Sequence, residues 1–219
     1  MRLVISNLIE SNYQNHKFGL FLVYGAMGVG KSTYCLLAIK ELGLNWKEHV
    51  FFRPKEFLEK ITEAYKKHER LKVLVLDDAG YHLSSYEWHD PFVKEFVKFI
   101  SIPRPVIANI IITTPSPTLL VKKIRTMDSY VVKIISNSSK DHPHRRMAKG
   151  YKNVLLPNGF RYTRLIFEDE FSLNALDETT RKEYDEYRYT YVGDALTRMT
   201  IALRDREKDV ENRDRFIQA

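Results

Sequence analysis

The chain has 219 residues, 44% of them hydrophobic and 29% charged, which suits one α/β domain with an appendage. No apolar run reaches the roughly 18 residues of a membrane span, and the N-terminus lacks the apolar stretch of a secretory signal. The one cysteine, Cys35, excludes an internal disulfide. We therefore expect a cytoplasmic protein, and its net charge of +7 favours polyanionic partners such as nucleic acid.

Five short apolar segments, rich in branched and aromatic residues, predict buried strands. They lie at 18–24, 49–52, 71–80, 108–117 and 129–136. Segments with helical spacing of apolar residues separate them, at 33–43, 54–70, 91–100 and 118–125. Strands that alternate with helices predict an α/β fold with a parallel five-stranded sheet flanked by helices.

The character of the sequence changes after residue 136. A polar, basic loop is predicted at 137–150, followed by a β-hairpin at 151–170 with its turn at Asn158 and Gly159. A long, charged helix is predicted from about residue 177 to residue 208. We expect a core at 1–136 and an appended loop, hairpin and helix at 137–219.

The segment between the first strand and the first helix has the sequence GAMGVGKS, at 25–32. It fits the phosphate-binding pattern G-x-x-x-x-G-K-[ST], in which glycines let backbone N–H groups wrap a phosphate. In this pattern Lys31 reaches the β- and γ-phosphates of ATP, and the Ser32 hydroxyl binds Mg²⁺. The predicted nucleotide-binding residues are Gly25, Ala26, Met27, Gly28, Val29, Gly30, Lys31, Ser32 and Thr33.

Polar residues end two later strands, where ligands bind in open parallel sheets. Asp77 is predicted to hold Mg²⁺, directly or through water, and Asp78 to orient or deprotonate the attacking water. The alternative for Asp78 is a cap on the turn that follows. Either Thr113 or Thr114 is expected to sense the γ-phosphate, and the alternative for both is ordinary capping of the turn at Pro115.

Three arginines are candidates for a guanidinium that completes a neighbouring subunit's site: Arg125, Arg145 and Arg146. The alternative for each is a solvated surface charge. His142 and His144 have no nearby cysteines and no carboxylates in a ligand pattern, so no zinc site is predicted.

The segment 138–164 carries seven cationic residues and one carboxylate, with aromatic residues interleaved. Cations and aromatic rings can contact phosphates and stack on bases, so this segment is a candidate DNA-binding surface. The alternative is a hairpin whose charge balances the acidic segments that follow it. The candidate DNA contacts are Lys140, Arg145, Arg146, Lys149, Lys152, Arg161 and Arg164.

Three motifs together resemble a known group: VYGAMGVGKSTY at 23–34, VLDDAGYHL at 75–83 and IITTPSP at 111–117. The chain looks like the DnaA-like P-loop ATPases of spindle-shaped archaeal viruses and related plasmids. More distantly it is similar to the DnaA/DnaC helicase-loader branch of the AAA+ superfamily. The resemblance implies a RecA-like ASCE core, use of ATP and Mg²⁺, oligomerisation, and replication or maintenance of viral or plasmid DNA in the host cytoplasm.

The chain departs from the AAA+ pattern after the fifth strand, where a helical lid with a sensor arginine is expected. A DNA-binding helix-turn-helix is also not visible. The leading hypothesis is therefore a DNA-directed ATPase, and a virion-assembly or DNA-packaging motor is its first alternative. A non-hydrolysing nucleotide switch and a small-molecule kinase are two further hypotheses.

Overall fold

The computed structural model describes residues 2–156 and 161–217. Each of the five predicted core strands is present. In chain order the elements are α1 (Val4–Gln14), β1 (Gly19–Tyr24), α2 (Lys31–Glu41), β2 (Val50–Phe51), α3 (Pro54–Lys66), β3 (Leu74–Leu76), α4 (Pro91–Phe99), β4 (Asn109–Thr114), α5 (Lys122–Arg125), β5 (Tyr130–Ser136), β6 (Arg145–Leu155), β7 (Arg161–Ser172) and α6 (Glu178–Ile217).

The strands form a single sheet in the order β2-β3-β4-β1-β5-β6-β7. The five strands from β2 to β5 are parallel, which confirms the predicted α/β fold. β4 lies between β1 and β3, so the strand that precedes the glycine loop and the strand that precedes the paired aspartates are not neighbours. The carboxyl ends of all five strands meet at one edge of the sheet.

The predicted hairpin is larger than expected and belongs to the main sheet. β6 starts at Arg145, inside the segment predicted as a loop, and pairs antiparallel with β5 from Arg146 to Lys152. These residues have low β propensity, and they form a strand here because they pair with β5. The predicted turn at Asn158 and Gly159 lies outside the described residues.

Two helical segments differ from the prediction. The helix α1 was not predicted, although Ile5 and Ile9 fall at helical spacing and are fully buried. The helix expected at 118–125 is interrupted, because Leu120 and Val121 adopt extended backbone and leave only a short turn as α5. Leu120 pairs there with Ser84, which explains the interruption.

The apolar core forms around the parallel strands. Ile110, Ile112 and Leu74 in the sheet pack with Phe57 of α3 and Phe96 of α4 in one buried cluster. Continuous burial of β4 on both faces matches its uninterrupted apolar sequence.

The chain divides into two compact units, residues 1–176 and residues 177–219. The hairpin of β6 and β7 falls in the first unit, whereas the core proposed from sequence ended at residue 136. The second unit contains α6, a helix of 40 residues. Among residues 2–156 and 161–217, no helix combines the length and apolar character that crossing a bilayer requires.

Candidate functional site

The glycine loop follows β1 directly and leads into the first turn of α2. Gly28 and Gly30 have φ angles of 74° and 102°, in the region that side chains rarely adopt. A Cβ atom at Gly30 would lie 2.5 Å from Leu173, and one at Gly25 would lie 2.5 Å from the carbonyl oxygen of Ile134. Backbone angles and crowding therefore both require glycine in this loop.

Lys31 is the first residue of α2 and is only 7% exposed. Its Nζ donates hydrogen bonds to the carbonyl oxygens of Gly25, at 3.0 Å, and Ala26, at 3.1 Å. The Lys31 side chain thus folds back, and its ammonium group contacts the glycine loop that precedes α2. The loop, the helix N-terminus and this cation together favour a bound phosphate.

The pairing of β3 with β4 places Asp77 next to Thr113. Both side chains are fully buried, and the Thr113 hydroxyl donates a hydrogen bond to Oδ1 of Asp77. The N–H of Asp78 lies 2.8 Å from Oγ1 of Thr113 and 3.1 Å from Oδ1 of Asp77. These three residues form one hydrogen-bonded network at the carboxyl edge of the sheet.

The two threonines at the end of β4 differ in their contacts. Thr113 contacts the acid, whereas Oγ1 of Thr114 donates to the carbonyl oxygen of Ser116 at 3.0 Å. Thr114 therefore stabilises the turn after its own strand. Thr113 is the better candidate for a residue that senses the nucleotide, a distinction that sequence alone left open.

Asp78 has a φ angle of 49°, which is uncommon for a residue with a side chain and costs about 1 kcal/mol. Its side chain makes no capping hydrogen bond to the turn Ala79–Tyr81 that follows it. The geometry therefore does not support the alternative in which the Asp78 side chain caps this turn. The N–H bonds to Asp77 and Thr113 hold the strained backbone in place.

Cys35 lies in α2 beneath the site and is fully buried. Burial raises the pKa of its thiol well above the usual value, and the negative charge of Asp77 raises it further, while the positive charge of Lys31 lowers it. The thiol is therefore a protonated core side chain. Asp77 and Lys31 thus both lie close enough to the thiol to affect its pKa, in opposite directions.

The end of the hairpin supports the loop, a role that the sequence analysis missed. Leu173 and Phe171 are the side chains that approach Gly30, and the Phe171 ring lies 5.2 Å from the ring of Tyr34 in α2. The Tyr34 hydroxyl donates to Asp169 at 2.6 Å. The alternating apolar residues of FEDEFSL, at 167–173, were the available signal for a strand with one buried face.

The candidate arginines have different surroundings. Arg145 forms an ion pair with Glu170, and Arg146 donates to the carbonyl oxygens of Pro143, at 2.9 Å, and Arg145, at 2.8 Å. Arg125 ends α5 and lines a cavity beside α4. The contacts of Arg145 and Arg146 fall within their own hairpin and the loop before it.

Carboxylates neutralise several cations of the candidate DNA-binding hairpin. Lys149 pairs with Glu168 at 2.9 Å, which raises the pKa of the lysine, and Lys152 pairs with Asp128 at 3.2 Å. With the Arg145 pair, three of the seven proposed contacts have an acidic partner. Lys140 and Arg164 are exposed, while the side chain of Arg161 lies outside the description.

The residues proposed for Mg²⁺ fit that ion in kind. Ser32 and Asp77 offer hydroxyl and carboxylate oxygens, which are the donors that Mg²⁺ prefers. No cluster of three or more His, Cys, Asp or Glu side chains occurs in the part of the chain that the structure describes. A site with only two protein ligands is suitable for Mg²⁺, because phosphate oxygens and water supply the remaining ligands.

The strand order, the loop after β1 and the acid after β3 define a P-loop NTPase fold of the ASCE type. No family model matches the chain. It is similar to the uncharacterized protein B-251 of Sulfolobus spindle-shape virus 1, with 26% identity over 93% of this chain and 86% of that protein. ORF286 of Acidianus two-tailed virus, also uncharacterized, is 26% identical over 51% of this chain and 41% of its own length.

Solved structures give weaker similarities. The N-terminal domain of zonular occludens toxin from Neisseria meningitidis has a TM-score of 0.41 and 16% identity, covering 70% of this chain and 95% of that one. The genome packaging NTPase B204 of Sulfolobus turreted icosahedral virus 2, in complex with ATP-gammaS, has a TM-score of 0.40 and 14% identity, covering 70% and 100%. Scores this low extend no property of these proteins to this chain.

The predicted likeness to proteins of spindle-shaped archaeal viruses is confirmed to the extent that one relative comes from such a virus. The closer assignment to the DnaA and DnaC branch stays a prediction.

Proposed function

We propose that the chain binds ATP with Mg²⁺ at the loop 25–32 and hydrolyses it. The observation that supports this most directly is the hydrogen-bonded network of Asp77, Thr113 and Asp78 beside the strand that carries the loop. A structural role alone does not require two successive carboxylates at a sheet edge, one of them fully buried.

Each residue has a defined part in this proposal. The loop N–H groups and the Lys31 ammonium bind the β- and γ-phosphates, and Lys31 exchanges its two carbonyl contacts for phosphate oxygens. Ser32 and Asp77 hold Mg²⁺, which neutralises charge on the phosphates. Asp78 orients the attacking water and accepts its proton, while Thr113 fixes the orientation of the Asp77 carboxylate.

DNA is the substrate on which we propose that this ATPase acts, as a motor for virion assembly or DNA packaging. The net charge of +7 supports a polyanionic partner. The antiparallel strands β6 and β7 continue the sheet after β5, the point at which an AAA+ protein carries its helical lid. This feature favours the motor over the DnaA-like initiator and helicase-loader hypotheses for the same core.

A small-molecule kinase and a non-hydrolysing switch are less compatible with the described residues. A strand lies between β1 and β3, which disfavours the kinase, as does the polar end of that strand at Thr113. The switch gives no role to Asp78, a second acid that follows Asp77 directly and has a strained backbone.

Steady-state phosphate release tests the proposal. The wild type, Lys31→Ala and Asp78→Asn are assayed with and without Mg²⁺, and with single-stranded or duplex DNA. We expect Mg²⁺-dependent turnover that DNA stimulates, a loss of roughly 100-fold or more in both variants, and retained ATP binding in Asp78→Asn.

Turnover that requires a small-molecule acceptor would instead indicate a kinase. ATP binding without turnover under every condition would contradict the hydrolytic function and favour the switch.

A further inference from the structure

A cavity of about 670 Å³ lies between α4 and α5 and is separate from the glycine loop. We call it the α4–α5 groove. The turn after β3, the exposed side of α4 and the start of α5 form its walls. Its lining residues are Ser85, Trp88, Val93, Lys94, Val97, Lys98, Val121, Lys122, Lys123 and Arg125.

The groove is strongly cationic. Five of its lining residues are lysine or arginine, and none is aspartate or glutamate. Lys98 pairs with Glu95 of its own helix at 2.6 Å. The other four cations have no ion pair within the described residues, in contrast with the hairpin, where Lys149, Lys152 and Arg145 are paired.

The groove also offers apolar surface. Val93 and Val121 are almost fully buried beneath it, and the Trp88 side chain is 58% exposed at its edge. The exposed indole offers a flat apolar face on which a ligand can pack. Unpaired cations around an apolar floor with one exposed aromatic ring match a nucleic-acid strand, whose phosphates are anionic and whose bases and sugars have apolar faces.

Two of the three walls of the groove continue from strands that end at the candidate catalytic site. The wall with Ser85 and Trp88 follows Asp77 and Asp78, and the wall with α5 follows Thr113. The N–H of Val121 donates to the carbonyl oxygen of Leu83 at 3.1 Å, which ties the two walls together. A ligand in the groove therefore contacts segments that lead directly to both acids and to their threonine partner.

We propose that the α4–α5 groove is the DNA-binding site of the protein, with phosphates bound by Lys94, Lys122, Lys123 and Arg125 and a base or deoxyribose packed on Trp88. This inference rests on the proposed DNA-directed function and names its site. It places DNA on the core domain and not on the paired charges of the hairpin. Occupancy of the groove stimulates hydrolysis, because two of its walls are continuous with the catalytic segments.

The test is equilibrium binding of a dye-labelled oligothymidine and of a labelled duplex, measured by the anisotropy of the dye over a range of salt concentrations, so that every variant has the same readout. Trp46→Phe leaves Trp88 as the sole tryptophan, so its fluorescence reports occupancy of the groove. Lys122→Glu/Lys123→Glu removes two cations, and Trp88→Ala removes the ring. Lys17→Glu/Lys66→Glu is the matched control, because it makes the same change in charge at two exposed lysines outside the groove.

We expect DNA to quench Trp88 and both groove variants to bind DNA roughly tenfold or more weakly. The double charge reversal should also lower the salt dependence by about 0.7 to 0.9 for each lost phosphate contact. The control variant has the same net charge as the double charge reversal but an unchanged groove, and it should bind DNA within about twofold of wild type. The DNA form that Trp88→Ala weakens more identifies the natural ligand as single-stranded or duplex.

Equal weakening by the control and the groove variants would overturn the proposal, since general charge alone would then explain binding. Polyglutamate that competes as well as DNA for the groove of the wild type would overturn it in favour of an acidic protein partner. Thermal unfolding of each variant confirms that it is folded. Affinity for Mg-ATP, measured separately, tests the nucleotide function, so failure of the groove is distinguishable from failure of the ATPase.

Discussion

Thr113 and Thr114 are adjacent threonines with different partners, so they can be compared directly. Thr113→Val keeps the shape of the side chain but removes the hydrogen bond to Asp77, a bond to a buried charged group. Such bonds contribute about 1.5–3 kcal/mol, so we expect turnover to fall by roughly one to two orders of magnitude. Thr114→Val loses only a bond within its own turn, and should keep most of the activity.

The measurement for this pair is kcat with saturating Mg-ATP. A larger loss in Thr114→Val than in Thr113→Val would contradict the assignment of Thr113 to the catalytic network.

Gly30 and Gly43 both have positive φ angles, 102° and 69°. Alanine at either position costs roughly 1 kcal/mol of folding free energy. Only Gly30→Ala also crowds Leu173 and distorts the phosphate loop, because the space around Gly43 is open. We expect a loss of stability in both variants, larger in Gly30→Ala because of this crowding, and a loss of Mg-ATP affinity of about tenfold or more in Gly30→Ala alone.

Chemical denaturation and calorimetric titration separate these two effects. Normal nucleotide affinity in Gly30→Ala would show that the loop tolerates the added methyl group, and that the close approach of Leu173 has no role in binding.

At the scale of elements, α1, α2 and β7 meet at a buried carboxylate. Asp169 is 5% exposed and accepts hydrogen bonds from the N–H of Val4 at 2.8 Å and from the Tyr34 hydroxyl at 2.6 Å. Burial raises the pKa of Tyr34 well above 10.0, and the negative charge of Asp169 raises it further. The folded state thus favours the protonated phenol.

This linkage predicts a dependence of stability on pH. The contribution of protonated Tyr34 is complete below about pH 10 and is lost as the pH rises above that value, because the unfolded state ionises first. At neutral pH, Tyr34→Phe should cost about 1–3 kcal/mol, since Asp169 loses a donor. The difference between wild type and Tyr34→Phe should shrink above pH 10.

Urea denaturation from neutral to strongly alkaline pH measures this difference. A gap between the two proteins that stays constant throughout would show that the phenol does not ionise differently in the folded and unfolded states.

The core elements could be predicted because each has a local signal. Apolar runs such as 108–114 are typical of a central strand that is buried on both faces. The loop motif by itself predicts that Lys31 begins a helix. The first half of β6, at 145–150, could not be predicted from its residues, because its polar, basic sequence is a strand only through its pairing with β5. Discrimination between Thr113 and Thr114 likewise depends on contacts with residues far away in the sequence.

At the scale of the whole molecule, α6 presents apolar residues that suit self-association. Val192, Leu196, Met199 and Leu203 are between 44% and 67% exposed and recur at alternating intervals of four and three residues. This spacing is typical of a coiled-coil seam. Homo-oligomerisation remains a prediction, and this seam is the surface through which we expect it.

Light scattering of wild type and Leu196→Asp/Leu203→Asp tests this expectation. We expect a concentration-dependent oligomer for wild type and a smaller species for the variant, because buried aspartates oppose helix pairing. Thr197→Asp/Arg204→Asp, on the same helix but off the seam, is the control. A monomeric wild type, or equal dissociation of both variants, would contradict self-association through the seam of α6.

The central claim is that nucleotide binds at the loop 25–32, and calorimetric titration with Mg-ATP tests it most directly. Lys31→Ala removes the buried ammonium, and Lys66→Ala, at an exposed lysine of α3, is the control. We expect stoichiometric binding by wild type and the control, and a loss of about 10-fold or more in Lys31→Ala, because a charged hydrogen bond to phosphate is removed. Absence of binding in wild type, or equal affinity in Lys31→Ala, would contradict the account.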